Sequence, residues 1–296
     1  MSKNIYIQRK TSKKWENIQR GWYSFSRNRL SVIGLIVILL IIFIAIFAPY
    51  ISPSPESAGL YINFSGANQP PSLSNLCGTD GIGRDVLSRI FFGFRISLFM
   101  VITVLALVAP FGVVMGIVAG YFHNNLIGII IMRITDMLLA IPPLLLALVI
   151  CSTLNPNVVN AMIAISIGWW PWYCRLIYGY TISIKGEDYV RSAEVIGASN
   201  IHILFKEILR NCLSPILTKM SLDAGVVILI ASMISFIGLG AQPPTPDLGS
   251  MVADGCKYLP ELWWISVFPA FGILITALSF NLIGDGIGKI FMKARG

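Results

Sequence analysis

The sequence predicts an all-α integral membrane protein with about six transmembrane helices and both termini on the cytoplasmic side. Three observations carry this expectation. Hydrophobic residues make up 55% of the 296-residue chain and charged residues only 12%, about half the roughly 25% usual in soluble domains. The apolar residues are gathered in long runs with few charges, each near or above the about 20 residues a helix needs to cross a hydrocarbon core. Basic residues are also sorted by side. With the N-terminus inside, the inner segments collect about fifteen Lys and Arg and the outer ones about four, Arg84, Arg89, Arg95 and Lys257.

The elements follow in order. Residues 1–29 form a cytoplasmic basic segment in which Lys3, Arg9, Lys10, Lys13, Lys14, Arg20, Arg27 and Arg29 face Glu16 alone. Residues 30–51 carry no charge and form the first transmembrane helix. A cleavable signal has an apolar region of about 7–15 residues ending in small residues, whereas this run is longer and ends at Pro49-Tyr50. Residues 52–95, rich in Pro, Ser, Asn and Gly, make an extracytoplasmic loop. Within it Asp80, Arg84, Asp85 and Arg89 alternate in sign at spacings that predict a short charged surface helix.

Residues 96–290 are the transmembrane core, with spans at 96–122, 126–154, 158–184, 215–240 and 262–288. Pro110, Pro142-Pro143 and Pro171 predict kinks whose freed backbone groups must be satisfied by neighbouring helices or water. That suits a bundle around a pathway better than six separate anchors. Trp263-Trp264 open the last span, where indole rings favour the headgroup level.

Several classes of chemistry are excluded. The net charge of +8 lies at the termini and in one internal loop, which is the pattern of retained cytoplasmic segments and not of a nucleic-acid groove. The five Cys form no CxxC pair, and His123 and His202 are far apart, so no metal site is predicted. Cys77 and Cys256 fall on the same outer side, which leaves a disulfide between them open beside the plainer reading of two free thiols. Neither HExxH nor GxSxG occurs. The run Gly284 to Lys289 lacks the phosphate-loop spacing and reads as a helix end. No catalytic residue is predicted and no cofactor is expected on this chain. ATP-driven work, with ATP and magnesium, belongs to partner subunits.

Charges inside spans are the remaining candidates, because each costs at least about 2.5–3.5 kcal/mol at the bilayer centre. Arg133 and Asp136 lie three apart and Lys219 and Asp223 four apart, so each pair can meet on one helix face. Arg133, Arg175 and Lys219 stand within a few turns of the inner surface, where structural pairing with snorkelling competes with a proton relay. Asp223 is the deepest. Ser221 and Ser232, eleven apart, share a face of the fifth span and are pathway candidates beside it. An ion-gradient transporter using Asp223 is the alternative function.

The cytoplasmic loop 185–211 carries the most specific signal. It reads as a short amphipathic helix from Glu187, a break at Gly197, an N-cap at Ser199, and a second helix from Ile201 to Asn211 with Ile201, Leu204, Phe205, Ile208 and Leu209 on one stripe. This segment resembles the EAA loop of ABC importer permeases. Arg191-Ser192-Ala193 stands where the family has Glu-Ala-Ala, Gly197 holds the family Gly, and Glu207 to Arg210 replaces Ile-x-Leu-Pro, with Arg210 in place of Pro. Two further blocks, Gly78 to Arg89 and Ser235 to Pro246, resemble the outer loop and the end of the fifth helix in the dipeptide/oligopeptide/nickel family. The long first span and basic N-terminus are similar to its C-type subunit.

The resemblance implies a multi-pass protein of a prokaryotic inner or plasma membrane. It implies a heterodimer with a second, homologous permease, two cytosolic ATPase subunits and an extracytoplasmic substrate-binding protein. Ser192, Ala193, Gly197, Ala198 and Ser199 are then expected at the ATPase contact, and Asp80, Arg84, Asp85 and Arg89 at the binding-protein contact. The solute would be a di- or oligopeptide, nickel or a metal chelate, or a glutathione-like molecule.

Overall fold

The computed structural model describes Trp15, Gln19, residues 21–23 and residues 25–293, so most of the basic N-terminal segment and the last three residues, including Arg295, lie outside the described residues. No β-strand occurs among the described residues. The helices are α1 (Arg29–Ile51), α2 (Val86–Tyr121), α3 (Leu126–Leu139), α4 (Pro143–Thr153), α5 (Val158–Lys185) and α6 (Asp188–Val195), then α7 (Asn200–Phe236), α8 (Leu248–Cys256) and α9 (Trp264–Lys293).

Helices α1, α2, α7 and α9 are each long and apolar enough to cross a membrane. The expected third span is not one straight helix. It is broken into α3 and α4, bent by 86° where Pro142 and Pro143 end the hydrogen-bond ladder. The 28-residue α5 has the length to cross but is less apolar, since it is rich in Trp, Tyr, Gly and hydroxyl residues; Trp169, Tyr173 and Cys174 on it are turned into the protein.

Small residues let these helices meet, as expected where lipid removes the usual hydrophobic drive between them. On α2, Gly112, Gly116 and Gly120 form a stripe against α5, the most extensive helix pair among the described residues. A Cβ at Gly116 would stand 2.6 Å from the Cys174 carbonyl oxygen, and one at Gly120 2.6 Å from Thr181 Cβ. Helix α1 buries only Ser31, Gly34, Ile38, Ile41, Ala45 and Ala48, one stripe at alternating steps of three and four, mostly against α9. Leu35, Val37 and Ile44 pack at the edges of that stripe, and most of the remaining Ile and Leu side chains are exposed.

Several expectations are corrected. Asp80 to Arg89 is not a surface helix. Asp80 sits in a tight turn, where its carboxylate accepts from the Ile82 and Arg84 amides at 3.1 and 2.9 Å and from Arg84 Nε at 2.7 Å. Asp85 caps α2 by accepting from the Ser88 amide at 2.8 Å, and Arg89 donates to the Ser57 carbonyl at 3.1 Å. Asp80, Asp85 and Arg89 are buried and Arg84 is half-buried, and their bonds tie the outer loop together. The physical reason is local: with Gly81 and Gly83 allowing the turn, the Asp80 carboxylate accepts from turn amides and the Arg89 guanidinium donates to a loop carbonyl. Trp264 is likewise buried, its Nε1 donating to the Thr79 carbonyl at 3.2 Å; of the two, Trp263 is the exposed one. Cys77 and Cys256 are both free thiols, and Cys256 Sγ lies 3.4 Å from Ser266 Oγ. Gly284 to Lys289 is interior to α9 and not a helix end.

Candidate functional site: a cytoplasmic elbow and the charges behind it

The elbow forms for reasons visible residue by residue. Helix α6 ends at Gly197, whose φ of +81° reverses the chain in the left-handed region that glycine enters at no steric cost. The Ala198 amide then returns to the Ala193 carbonyl at 3.0 Å, and Ser199 caps the next helix by accepting from the His202 amide at 3.3 Å. The expected stop near Asn211 is absent. Helix α7 runs unbroken from Asn200 to Phe236, 37 residues and about 55 Å, with Pro215 absorbed inside it. A π-helical stretch at Ile203–Ile208 shifts its register. Ile203, Leu204 and Ile208 are therefore buried, while Ile201 and Phe205, expected on the buried stripe, are exposed.

Polar ties fix the elbow to the membrane helices. The Tyr121 hydroxyl, at the inner end of α2, lies 3.2 Å from Glu194 Oε1 and 3.1 Å from Asn200 Oδ1, one on each side of the Gly197 bend. Lys185, the last residue of α5, donates to the Tyr121 carbonyl at 2.7 Å and stands over the Tyr121 ring at 4.7 Å. Asn211 donates to the Tyr189 hydroxyl at 2.9 Å, and Val190 of α6 is buried against the core. The elbow thus holds the inner ends of α2, α5 and α7 together.

Of the residues expected to contact an ATPase, Ser192, Gly197 and Ser199 are exposed while Ala193 and Ala198 are half-buried against the core. The tip is instead dominated by Val195 and Ile196, 86% and 83% exposed, with Ile201 at 72% beside them. Sequence reasoning passed over these side chains. Their signal was two bulky aliphatic residues directly before the breaking glycine in a cytoplasmic loop, where solvent alone would favour polar ones.

The intramembrane charges are arranged differently from the expected pairs. Lys219 does meet Asp223, at 3.1 Å, and Asp223 also accepts from Trp169 Nε1 at 3.2 Å. Asp223 is therefore a buried, doubly bonded strut between α5 and α7. Ser232 is buried as well, against the start of α8 at Gly249. Only Ser221 borders an open space, a strongly apolar groove of about 650 Å³ between α2, α7 and α9. The expected serine face is not a continuous polar surface, because α8 folds back over its outer end. Asp136 does not pair with Arg133 on its own helix. It meets Arg175 of α5 at 2.7 Å, an ion pair whose angles fall short of a hydrogen bond.

Residues 112–295 match the family described as the binding-protein-dependent transport system inner membrane component. Residues 17–71 match the N-terminal transmembrane domain of oligopeptide transport permease C. The dipeptide transport system permease protein DppC of Haemophilus influenzae is 39% identical over 276 residues, covering 91% of this chain and 92% of that protein. The di/tripeptide transport system permease protein DppC of Pseudomonas aeruginosa is 38% identical, with coverage of 91% and 90%. The dipeptide transport system permease protein DppC of Alkalihalophilus pseudofirmus is 39% identical, with coverage of 91% and 87%. Helical spans built on small-residue contacts, an elbow gathering three inner helix ends, and likeness along nearly the whole chain agree: this chain belongs to the inner-membrane permease family of binding-protein-dependent ABC importers.

Proposed function

We propose that this chain is one permease of an importer for di- and oligopeptides, working beside a second, different permease. Two cytosolic ATPases bind at the elbow, and an extracytoplasmic binding protein delivers the solute. The observation that carries the reading is the elbow itself. An exposed apolar tip, Val195 and Ile196, is rigidly tied through Tyr121, Lys185 and α7 to three membrane helices. Bulky apolar side chains on a cytoplasmic surface fit burial against a protein partner. A displacement imposed there reaches the bilayer directly, because α7 begins at the elbow and continues to the outer side. The peptide substrate is suggested by the relatives, whose names specify dipeptide or di/tripeptide transport.

The test is reconstitution of both permeases, the ATPases and the binding protein in lipid vesicles, with labelled dipeptide outside. Uptake should require ATP and survive a protonophore, and the chain purified alone should bind no nucleotide. Uptake that follows an ion gradient without ATP would support the Asp223 alternative and sink the proposal.

A further inference from the structure

The Asp136–Arg175 pair stands where a charge pair should not face lipid. Asp136 lies ten residues from the inner end of α3, and Arg175 ten residues from the inner end of α5. Both therefore lie about 15 Å along their helices from those ends, inside the segments expected to span the membrane. The inner ends are level with one another, since Lys185 bonds Tyr121 five residues before α3 starts. Within spanning segments charged groups face either a bundle interior or a water-filled cavity. Within this chain they do not face the interior: the Arg175 side chain is 52% exposed and that of Asp136 38%. Their surroundings share that open surface. Met137 is 68% exposed, Trp172 is 44% exposed one helical turn before Arg175, and Lys219 Nζ approaches the Trp172 ring at 6.0 Å. Just beyond lies the break between α3 and α4, which frees backbone groups that need polar partners.

Resting on the peptide reading above, we propose that the Asp136–Arg175 pair lines the water-filled pathway and is its binding site for the charged ends of the solute. The Arg175 guanidinium receives the peptide carboxylate, and Asp136 receives the ammonium group. The Trp172 ring supplies an apolar face for the side chain between them. In the empty site the two groups neutralise each other. A zwitterionic solute exchanges one ion pair for two, so the site discriminates by end-group charge and leaves side-chain identity open.

The experiment uses the complete reconstituted transporter and compares ATP-driven uptake of a free dipeptide with its C-terminal amide and its N-acetyl derivative. The binding protein's own selection is common to all variants and cancels when ratios are compared. Arg175→Gln should lower the free-to-amide ratio at least about tenfold while sparing the free-to-acetyl ratio, and Asp136→Asn should do the reverse. A merely structural pair would lower uptake of all three peptides equally. If either single variant fails to assemble, the double variant Asp136→Asn/Arg175→Gln, which leaves no unpaired charge, should lose both preferences. A second measurement bypasses the binding protein: in the assembled complex, Met137→Cys should react with a water-soluble thiol reagent, followed by peptide mass. Millimolar dipeptide should slow that reaction with Arg175 present and not with Arg175→Gln. Unchanged ratios in the variants, or no reaction at Met137→Cys with or without ATP, would overturn the site while leaving ATP-driven peptide uptake by the unmodified transporter intact. Absence of that uptake would instead overturn the peptide reading.

Discussion

At the residue scale, Gly197 decides whether the elbow keeps its shape. An L-residue held in the left-handed region costs roughly 1–2 kcal/mol, and a β-branched one is the worst case. No atom would crowd a Cβ there, so the penalty is conformational and not steric. Gly197→Val should therefore lower ATP-driven uptake several-fold while leaving membrane insertion intact, and Gly197→Asn, which tolerates this region, should keep most of it. Equal activity of the two variants would remove the bend from the mechanism. Asp247 offers a pH test on the outer side. It caps α8 by accepting from the Ser250 amide at 3.1 Å, and burial pushes its carboxyl above the usual range despite that bond and another from the Gly249 amide. A folded pKa raised above the unfolded value gives stability that is full below the unfolded pKa and lost as pH rises through the folded one. Asp247→Asn keeps an acceptor for the cap and carries no charge. Its thermal midpoint in detergent should fall less than that of the unsubstituted protein between about pH 4 and about pH 7. A parallel fall in both would show that the carboxyl does not titrate in this window.

At the element scale, α2 and α5 show what the sequence hides. Gly112, Gly116 and Gly120 read as kink or flexibility signals in an apolar run, yet each is the floor of a contact with α5 backbone or Cβ atoms. Gly116→Leu must separate the two helices, and overpacking of this kind costs about 1–3 kcal/mol or more. It should lower the unfolding temperature and the yield of assembled complex. Gly179 on α5 has open space around its Cβ position, so Gly179→Ala should be neutral or slightly stabilising, by up to about 1 kcal/mol. A similar loss in both would mean that glycine matters here for some reason other than close approach. The break between α3 and α4 was legible from Pro142-Pro143, but its 86° angle was not. Proline removes a hydrogen bond locally, whereas the direction taken afterwards depends on packing of α4 against α5.

At the scale of the whole molecule, α1 buries one stripe, mostly against α9, and turns most of the rest of its surface outward. Leu39, 55% exposed and midway along α1, should, as Leu39→Cys, react with a membrane-permeant thiol reagent and resist a water-soluble one. Rapid labelling by the water-soluble reagent would place α1 against the pathway. Hydropathy and charge asymmetry determined by themselves that the chain is a multi-pass helical membrane protein, and the glycine break with its serine cap determined the elbow. These are properties of short stretches meeting one solvent: length against bilayer thickness, charge against membrane side, backbone preference at one residue. The tertiary structure decided which charges are partners. Asp136 stood three residues from Arg133 and met Arg175 instead, and Asp80 to Arg89 folded inward to tie the outer loop. It also showed that Asp223 is a strut and that Val195 and Ile196 form the elbow tip. Helical spacing fixes which side chains can meet along one helix. Which pair does meet is fixed by how closely two different helices approach, and here the glycine stripe of α2 draws α5 in beside α3.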